Sequence, residues 1–167
     1  IYKYVLDKMQ DGDKVVIGNR WDFYYTYFIR EFYEKDNDES FNAFIKALIE
    51  DFDSEIQHYP KLNFYIIGQG INTSQSIVNC LKANLQDSAL RHIFKTDRCN
   101  FTKDYLGYRR DLINNAIREY AKSKDNVTFV DRNAAQALGD GKFRTRTDGG
   151  KALYYDKTHY TTPGGNM

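Results

Sequence analysis

The sequence predicts an α/β domain built on a parallel sheet, and its strand-like runs and the helices between them carry that prediction. The runs Lys14-Val-Val-Ile-Gly18, Leu62-Asn-Phe-Tyr-Ile-Ile-Gly68 and Asn126-Val-Thr-Phe-Val-Asp131 are short and apolar, and each ends at a Gly or an Asp. Long amphipathic segments lie between them, at residues 40–57 and 104–122. Strands that alternate with helices of this length need crossover connections, and those connections set neighbouring strands parallel.

Each element has a local reason. Residues 1–10 carry Ile1, Val5, Leu6 and Met9 at helical spacing, and Asp11-Gly12-Asp13 turns the chain. Lys14-Val-Val-Ile-Gly18 is continuously apolar, the pattern of a parallel strand covered on both faces. Residues 21–33 are rich in aromatics and predict a helix, and residues 35–39 are a polar break. Ser40 predicts an N-cap for a helix running to about Gln57, with Phe44, Ala47, Leu48 and Phe52 on one face and Pro60 beyond its end. Residues 71–99 are mixed, with short helices in the later part. The helix over residues 104–122 has Leu112, Ile113, Ala116, Ile117 and Tyr120 in register. Gly139-Asp-Gly141 predicts a turn, and residues 143–150 a loop or small hairpin. Thr161-Thr-Pro-Gly164 resembles a helix start, with Pro in the first turn.

A chain of 167 residues suits one domain with a single core. Its net charge is +1 and its charges are mixed along the chain, so no global field draws in nucleic acid or an anionic membrane. No apolar run approaches the roughly 18 to 20 residues of a membrane span. Aromatic residues make up 16% of the chain, with 14 Tyr and 11 Phe, which suits either core edges or wet, carbohydrate-facing clefts. His58, His92 and His159 are scattered and no Cys or His pair has ligand spacing, so neither a metal nor a cofactor is expected. Cys80 and Cys99 are either a disulfide or two unrelated buried thiols. The opening at Ile1 and the close at Gly164-Gly-Asn-Met167 predict a piece of a longer protein.

The chemistry is concentrated in Leu153-Tyr-Tyr-Asp-Lys-Thr-His-Tyr160. Asp156 and His159 are close enough for one loop to present both. A histidine base needs a carboxylate on its other ring nitrogen to fix the tautomer and to stabilise the imidazolium that forms when a serine gives up its proton. Taken alone, the Asp-x-x-His spacing is more often that of a surface pair flanking a turn; the α/β frame before it and Thr161-Thr-Pro-Gly-Gly165 after it favour the acid–base reading. At the strand ends, Arg20 is placed to donate hydrogen bonds to an oxyanion or a carboxylate, or else to make a surface ion pair. Trp21 is either a stacking platform for a sugar ring or a core indole. Gly18 either lets the backbone approach a substrate or simply turns. Gln69 and Asn72 line the next strand end and are weaker candidates.

The run Leu153-Tyr-Tyr-Asp-Lys-Thr-His-Tyr-Thr-Thr-Pro-Gly-Gly165 resembles the last block of the SGNH hydrolase superfamily. The likeness is closest to SGNH domains fused to acyltransferase-3-type membrane proteins, which O-acetylate lipopolysaccharide and other glycans. Val15-Val-Ile-Gly-Asn-Arg-Trp21, Phe64-Tyr-Ile-Ile-Gly-Gln-Gly70 with Cys80-Leu81, and Val127-Thr-Phe-Val-Asp131 are similar to that group's strands, in the same order. The resemblance implies a three-layer, flavodoxin-like fold with a parallel sheet and a Ser-His-Asp site. It implies Asp156 and His159 as two triad members, with Gly18, Arg20, Trp21 and Gln69 as substrate or oxyanion candidates.

The superfamily's Gly-Asp-Ser block is absent, and none of Ser40, Ser54, Ser74, Ser76, Ser88 and Ser123 follows a strand in a tight Gly turn. The late cysteine pair of the acyltransferase-linked group is also absent from residues 134–150. The expectation is therefore a partial SGNH-type domain over residues 1–167, lacking its first strand, its serine block and its final helix, and inactive by itself. In the intact protein the resemblance implies transfer of an acetyl or other acyl group to a surface glycan or lipopolysaccharide. The implied partners are an acyl donor, a glycan acceptor and an upstream transmembrane acyltransferase domain, on the periplasmic or extracytoplasmic face of the membrane. A stand-alone carbohydrate esterase and a serine-less glycan-binding module are the rival readings.

Overall fold

A computed structural model of the chain describes residues 2–33, 35–71, 101–102, 107–139, 142–149 and 151–153. It divides into two compact units, Ile1–Gln69 with Arg109–Asp131, and Gly70–Tyr108 with Arg132–Met167.

The first unit is the α/β part. Helix α1 (Tyr2–Leu6) leads through the Gly12 turn, at φ +89°, into strand β1 (Lys14–Gly18). Helices α2 (Trp21–Phe32) and α3 (Asp38–Ile56) follow, then strand β2 (Asn63–Ile67). Strand β3 (Phe101–Thr102) belongs to the second unit. Helix α4 (Gly107–Lys122), in the first unit from Arg109 onward, leads to strand β4 (Val127–Val130). The sheet order is β1-β2-β4, with both pairings parallel. Val15 lies opposite Phe64, and Phe64 opposite Val127; Ile17, Ile66 and Phe129 are aligned in the same way. These side chains form one face of the sheet. That face meets a single apolar cluster with Trp21 and Tyr25 of α2, Phe41, Phe44, Phe52 and Ile56 of α3, and Ile113, Ile117 and Tyr120 of α4. The α/β class with a parallel sheet is thus the architecture found, with the sheet and one helical layer in this unit.

That cluster accounts for part of the high aromatic content. The Trp21 and Phe52 rings meet edge-on at 5.5 Å, and Phe52 stacks on Tyr120 at 6.0 Å. Tyr25 packs on Phe41 and Phe44, and its hydroxyl bonds to Asp36 and Arg109. Burial and the neighbouring Asp36 carboxylate push the Tyr25 phenol up to about 12.

Two expectations are corrected. Helix α3 begins before Ser40: its N-cap is Asn37, whose Oδ1 accepts from the Ser40 N–H at 2.9 Å. The Asn37 N–H donates back to Ser40 Oγ at 3.1 Å, which completes a capping box. The polar break at residues 35–39 therefore contains the first helical residues, and Asp38 and Glu39 lie where the helix dipole favours negative charge. Asn37→Ala is expected to destabilise the protein by about 1 kcal/mol, seen as a lower urea midpoint at unchanged slope.

Strand β1 is the second correction. The apolar run predicts cover on both faces, yet Lys14, Val16 and Gly18 are exposed, with Val16 at 64%. The strand sits at an edge of the sheet, and its outer face has no helix of this unit against it among the described residues.

The second unit holds a small antiparallel sheet. A 3₁₀ turn (Ala134–Gln136) precedes strand β5 (Ala137–Gly139) and strand β6 (Lys142–Phe143), in the order β3-β6-β5. Gly139, at φ +86°, closes β5 as the predicted turn requires, and residues 140 and 141 of that turn lie outside the described residues. Beyond β6 the chain forms a hairpin rather than a loop. The Thr147 N–H donates to the Lys151 carbonyl at 2.9 Å, and the Leu153 N–H to the Thr145 carbonyl at 2.8 Å. Leu153 and Thr145 are fully buried.

Candidate active site

In a parallel sheet, all strands deliver their following loops to the same end, so side chains distant in sequence converge there. In the first unit these loops are Gly18-Asn-Arg-Trp21 after β1, Gly68-Gln69 after β2, and Asp131 after β4.

The β1 loop is held by its own polar groups and by β2. Arg20 occupies the N-cap position of α2, and its guanidinium makes a two-point pair with Asp22, Nε to Oδ1 at 3.2 Å and Nη2 to Oδ2 at 2.7 Å. Asp22 lies in the first turn of α2, where a carboxylate also complements the helix dipole. The Arg20 side chain is half-exposed, so this pair is a positional device more than a source of stability. Trp21 is buried, and its indole N–H donates to the Ile67 carbonyl at 2.9 Å. As placed, Trp21 is an anchor of α2 on the end of β2, with its ring among core aromatics. Gly18 is exposed, and a Cβ there would come within 3.3 Å of Ile67 Cδ1.

Gln69 is fully buried. Its side-chain Oε1 accepts from the Asp22 N–H at 3.1 Å, which satisfies one of the open donors at the start of α2. Its main chain is clamped by Asn114 of α4: the Gln69 N–H donates to Asn114 Oδ1 at 2.6 Å, and Asn114 Nδ2 donates to the Gln69 carbonyl at 3.1 Å. Glycine at position 68 is needed for this approach, because a Cβ would lie 2.8 Å from Asn114 Oδ1 and 2.8 Å from Phe129 Cζ. At the end of β4, Asp131 pairs with Arg118 at 2.9 Å, and the Arg118 guanidinium lies 4.7 Å from the centre of the Phe129 ring.

The structure therefore brings Gly18, Arg20, Trp21 and Gln69 to one end of the sheet. It adds Asn114 and Asp22, which the sequence reading did not single out. A signal existed for Asn114: Arg110, Asn114, Ile117 and Ala121 form a buried stripe on α4, and a polar residue inside such a stripe asks for a partner. Asp156, His159 and Asn72 lie outside the described residues, as do His92, Cys80 and Cys99. The described chain ends at the buried Leu153, in the residues leading into the Asp156 block.

The described serines hold helix termini. Ser40 Oγ donates to the Asn37 carbonyl at 3.0 Å, Ser54 Oγ to the Asp51 carbonyl at 2.9 Å, and Ser123 Oγ to the Tyr120 carbonyl at 2.7 Å. None of them lies at the loops described above. Among the described residues, no group of His, Cys, Asp and Glu side chains could hold a metal ion. No helix among them is long and apolar enough to cross a membrane.

Comparison with known proteins gives one family. The model described as "SGNH domain (fused to AT3 domains)" matches residues 1–167. No curated protein matches the chain. Among solved structures, a protein of Streptococcus pneumonia given the provisional name platelet activating factor is similar over 98% of this chain and 83% of its own. Its identity is 11% and its TM-score 0.48, a likeness that bears on neither site nor activity. The family match spans every strand-end loop described above as well as the Asp156 block, and on that match the chain belongs to the SGNH domains of the kind fused to AT3 domains.

Proposed function

We propose that this chain is the part of an O-acyltransferase that supplies the histidine and aspartate of a Ser-His-Asp site, and that the intact protein moves an acetyl or other acyl group onto a glycan hydroxyl. The observation that carries the reading is the block Leu153-Tyr-Tyr-Asp-Lys-Thr-His-Tyr160 within a chain of this family. The nucleophile is a serine of the intact protein outside these residues, since the chain has no Gly-Asp-Ser block.

The serine hydroxyl attacks the acyl carbonyl as His159 takes its proton, and Asp156 holds the imidazole by the opposite nitrogen. Collapse of the tetrahedral intermediate releases the donor alcohol, which takes the proton back from His159, and leaves an acyl-serine. A sugar hydroxyl then attacks the acyl-serine, gives its proton to His159 and leaves as the acylated glycan, while the serine regains its proton. Arg20 is the candidate from the strand ends for contacting the oxyanion or an acidic sugar, with Gly18 shaping the approach and the buried Gln69 holding the start of α2 behind them. Trp21 serves by anchoring α2. The AT3 domain of the same polypeptide is the membrane partner, and the acceptor lies on its extracytoplasmic side.

The intact protein, given an acetyl ester donor and a surface oligosaccharide, is expected to yield an acetylated oligosaccharide detectable by mass spectrometry. Release of free acetate alone, with no acetylated sugar under any acceptor, would replace this reading with a carbohydrate esterase. Glycan binding with neither product would replace it with a binding module.

A further inference from the structure

We infer that the hairpin of residues 144–153 is a subsite for an anionic group, a carboxylate or a phosphate, on the acceptor glycan, held by Arg144 and Arg146. That the ligand is a glycan rests on the acyl-transfer reading; that it is anionic rests on charge and geometry.

Charge is unevenly spread along this chain. Lys142-Phe-Arg-Thr-Arg-Thr-Asp-Gly-Gly-Lys151 holds four basic residues and one acidic one, a net +3. The whole chain carries +1, so the remaining residues stand at −2. A local excess of this kind gathers anions at one place on a surface that elsewhere does not attract them.

The hairpin sets two guanidinium groups on one face. Arg144 and Arg146 flank the fully buried Thr145, and alternation along an extended chain turns both away from it. Across the hairpin Arg146 lies opposite Ala152, a side chain too short to pair with it. Two guanidinium forks two residues apart suit the oxygens of a carboxylate or a phosphate. Asp148 already shows the kind of group that fits: Arg144 Nη1 donates to its Oδ1 at 3.0 Å. The Asp148 side chain is 95% exposed, so the pair is weak and an anionic ligand with several oxygens displaces it at little cost.

The base of the hairpin is fixed. The Arg144 N–H donates to the Gln136 carbonyl at 2.8 Å, and the Leu153 N–H to the Thr145 carbonyl at 2.8 Å. Leu153 precedes Asp156 by three residues, so chain length alone keeps their Cα atoms within about 11 Å. An acceptor held at the hairpin is therefore within reach of the proposed acid–base pair. Between the two arms, Thr147-Asp-Gly-Gly150 has no apolar side chain and carries a carboxylate, which disfavours a membrane surface as the occupant.

The test is calorimetric binding of two matched probe pairs to the intact gene product: tetragalacturonate with its neutral amide, and maltotetraose phosphate with maltotetraose. The charged member of at least one pair is expected to bind more tightly, and the pair with the larger difference identifies the anionic group. Arg146→Gln is expected to weaken binding of the charged probe by about tenfold. Asp148→Asn removes the competing carboxylate and is expected to tighten it by about two- to fivefold. Equal affinity within both pairs would overturn the inference, as would an Arg146→Gln loss shared by charged and neutral probes, or weaker charged-probe binding in Asp148→Asn. Amide exchange at residues 144–152 slowed by phosphatidylglycerol nanodiscs and not by the charged probes would overturn it in favour of a membrane surface. Charge-selective binding that follows both variants, in a protein that acylates no sugar, would support the subsite and overturn the acyl-transfer reading instead.

Discussion

His159→Ala in the intact protein is expected to lower acyl transfer by about three orders of magnitude or more, with the fold unchanged by circular dichroism. The size follows from what the imidazole does: without it, the serine hydroxyl must lose its proton to water, and losses for a triad histidine reach about a millionfold. Asp156→Asn is expected to cost about ten-thousandfold, because an amide in that place favours the wrong imidazole tautomer and cannot stabilise the imidazolium. The two changes together are expected to cost little more than His159→Ala alone, since the pair acts as one device. Activity within about tenfold of the parent in His159→Ala would show that the histidine takes no proton in the reaction.

Asn114→Ala is expected to carry the largest stability effect among the strand-end residues. Asn114 satisfies both main-chain groups of Gln69, and both residues are buried. Truncation leaves a buried N–H and a buried C=O without that partner, at about 1–3 kcal/mol each. The expected loss of about 2–6 kcal/mol is a large fraction of the roughly 5–15 kcal/mol that keeps a domain folded. Asn114→Asp keeps an acceptor for the Gln69 N–H but sets a buried carboxylate against the Gln69 carbonyl, so at neutral pH it is expected to destabilise at least as much as Asn114→Ala. Urea denaturation of the three proteins checks that order. An Asn114→Ala midpoint equal to the parent would mean that the clamp adds nothing to the folded state.

How much of this was legible in the sequence depends on the range of the interactions involved. The three apolar runs became the three strands of the parallel sheet, because a run bounded by turn residues is a local signal. The start of α3 was misplaced at Ser40 because Ser is a good N-cap and also a good partner within a capping box; only the geometry shows that Asn37 holds the cap. The exposure of Val16 was not legible, since an interior strand and an edge strand awaiting a partner share one pattern.

The same distinction separates the site residues. The position of Gly18, Arg20, Trp21 and Gln69 at the ends of β1 and β2 was legible because strand ends are readable. What each side chain does there was not, because the Trp21 indole answers to Ile67 and Gln69 to Asn114, each more than forty residues away. Asn114 went unremarked for that reason: on a helix, a polar residue in a buried stripe names no partner.

The central claim is that His159 serves a serine nucleophile, and a fluorophosphonate probe tests it most directly. With the intact protein, the probe is expected to modify one serine, located by peptide mass spectrometry outside residues 1–167, and the modification is expected to vanish in His159→Ala. Equal labelling of the parent and His159→Ala, or labelling confined to Ser40, Ser54 or Ser123, would contradict the account.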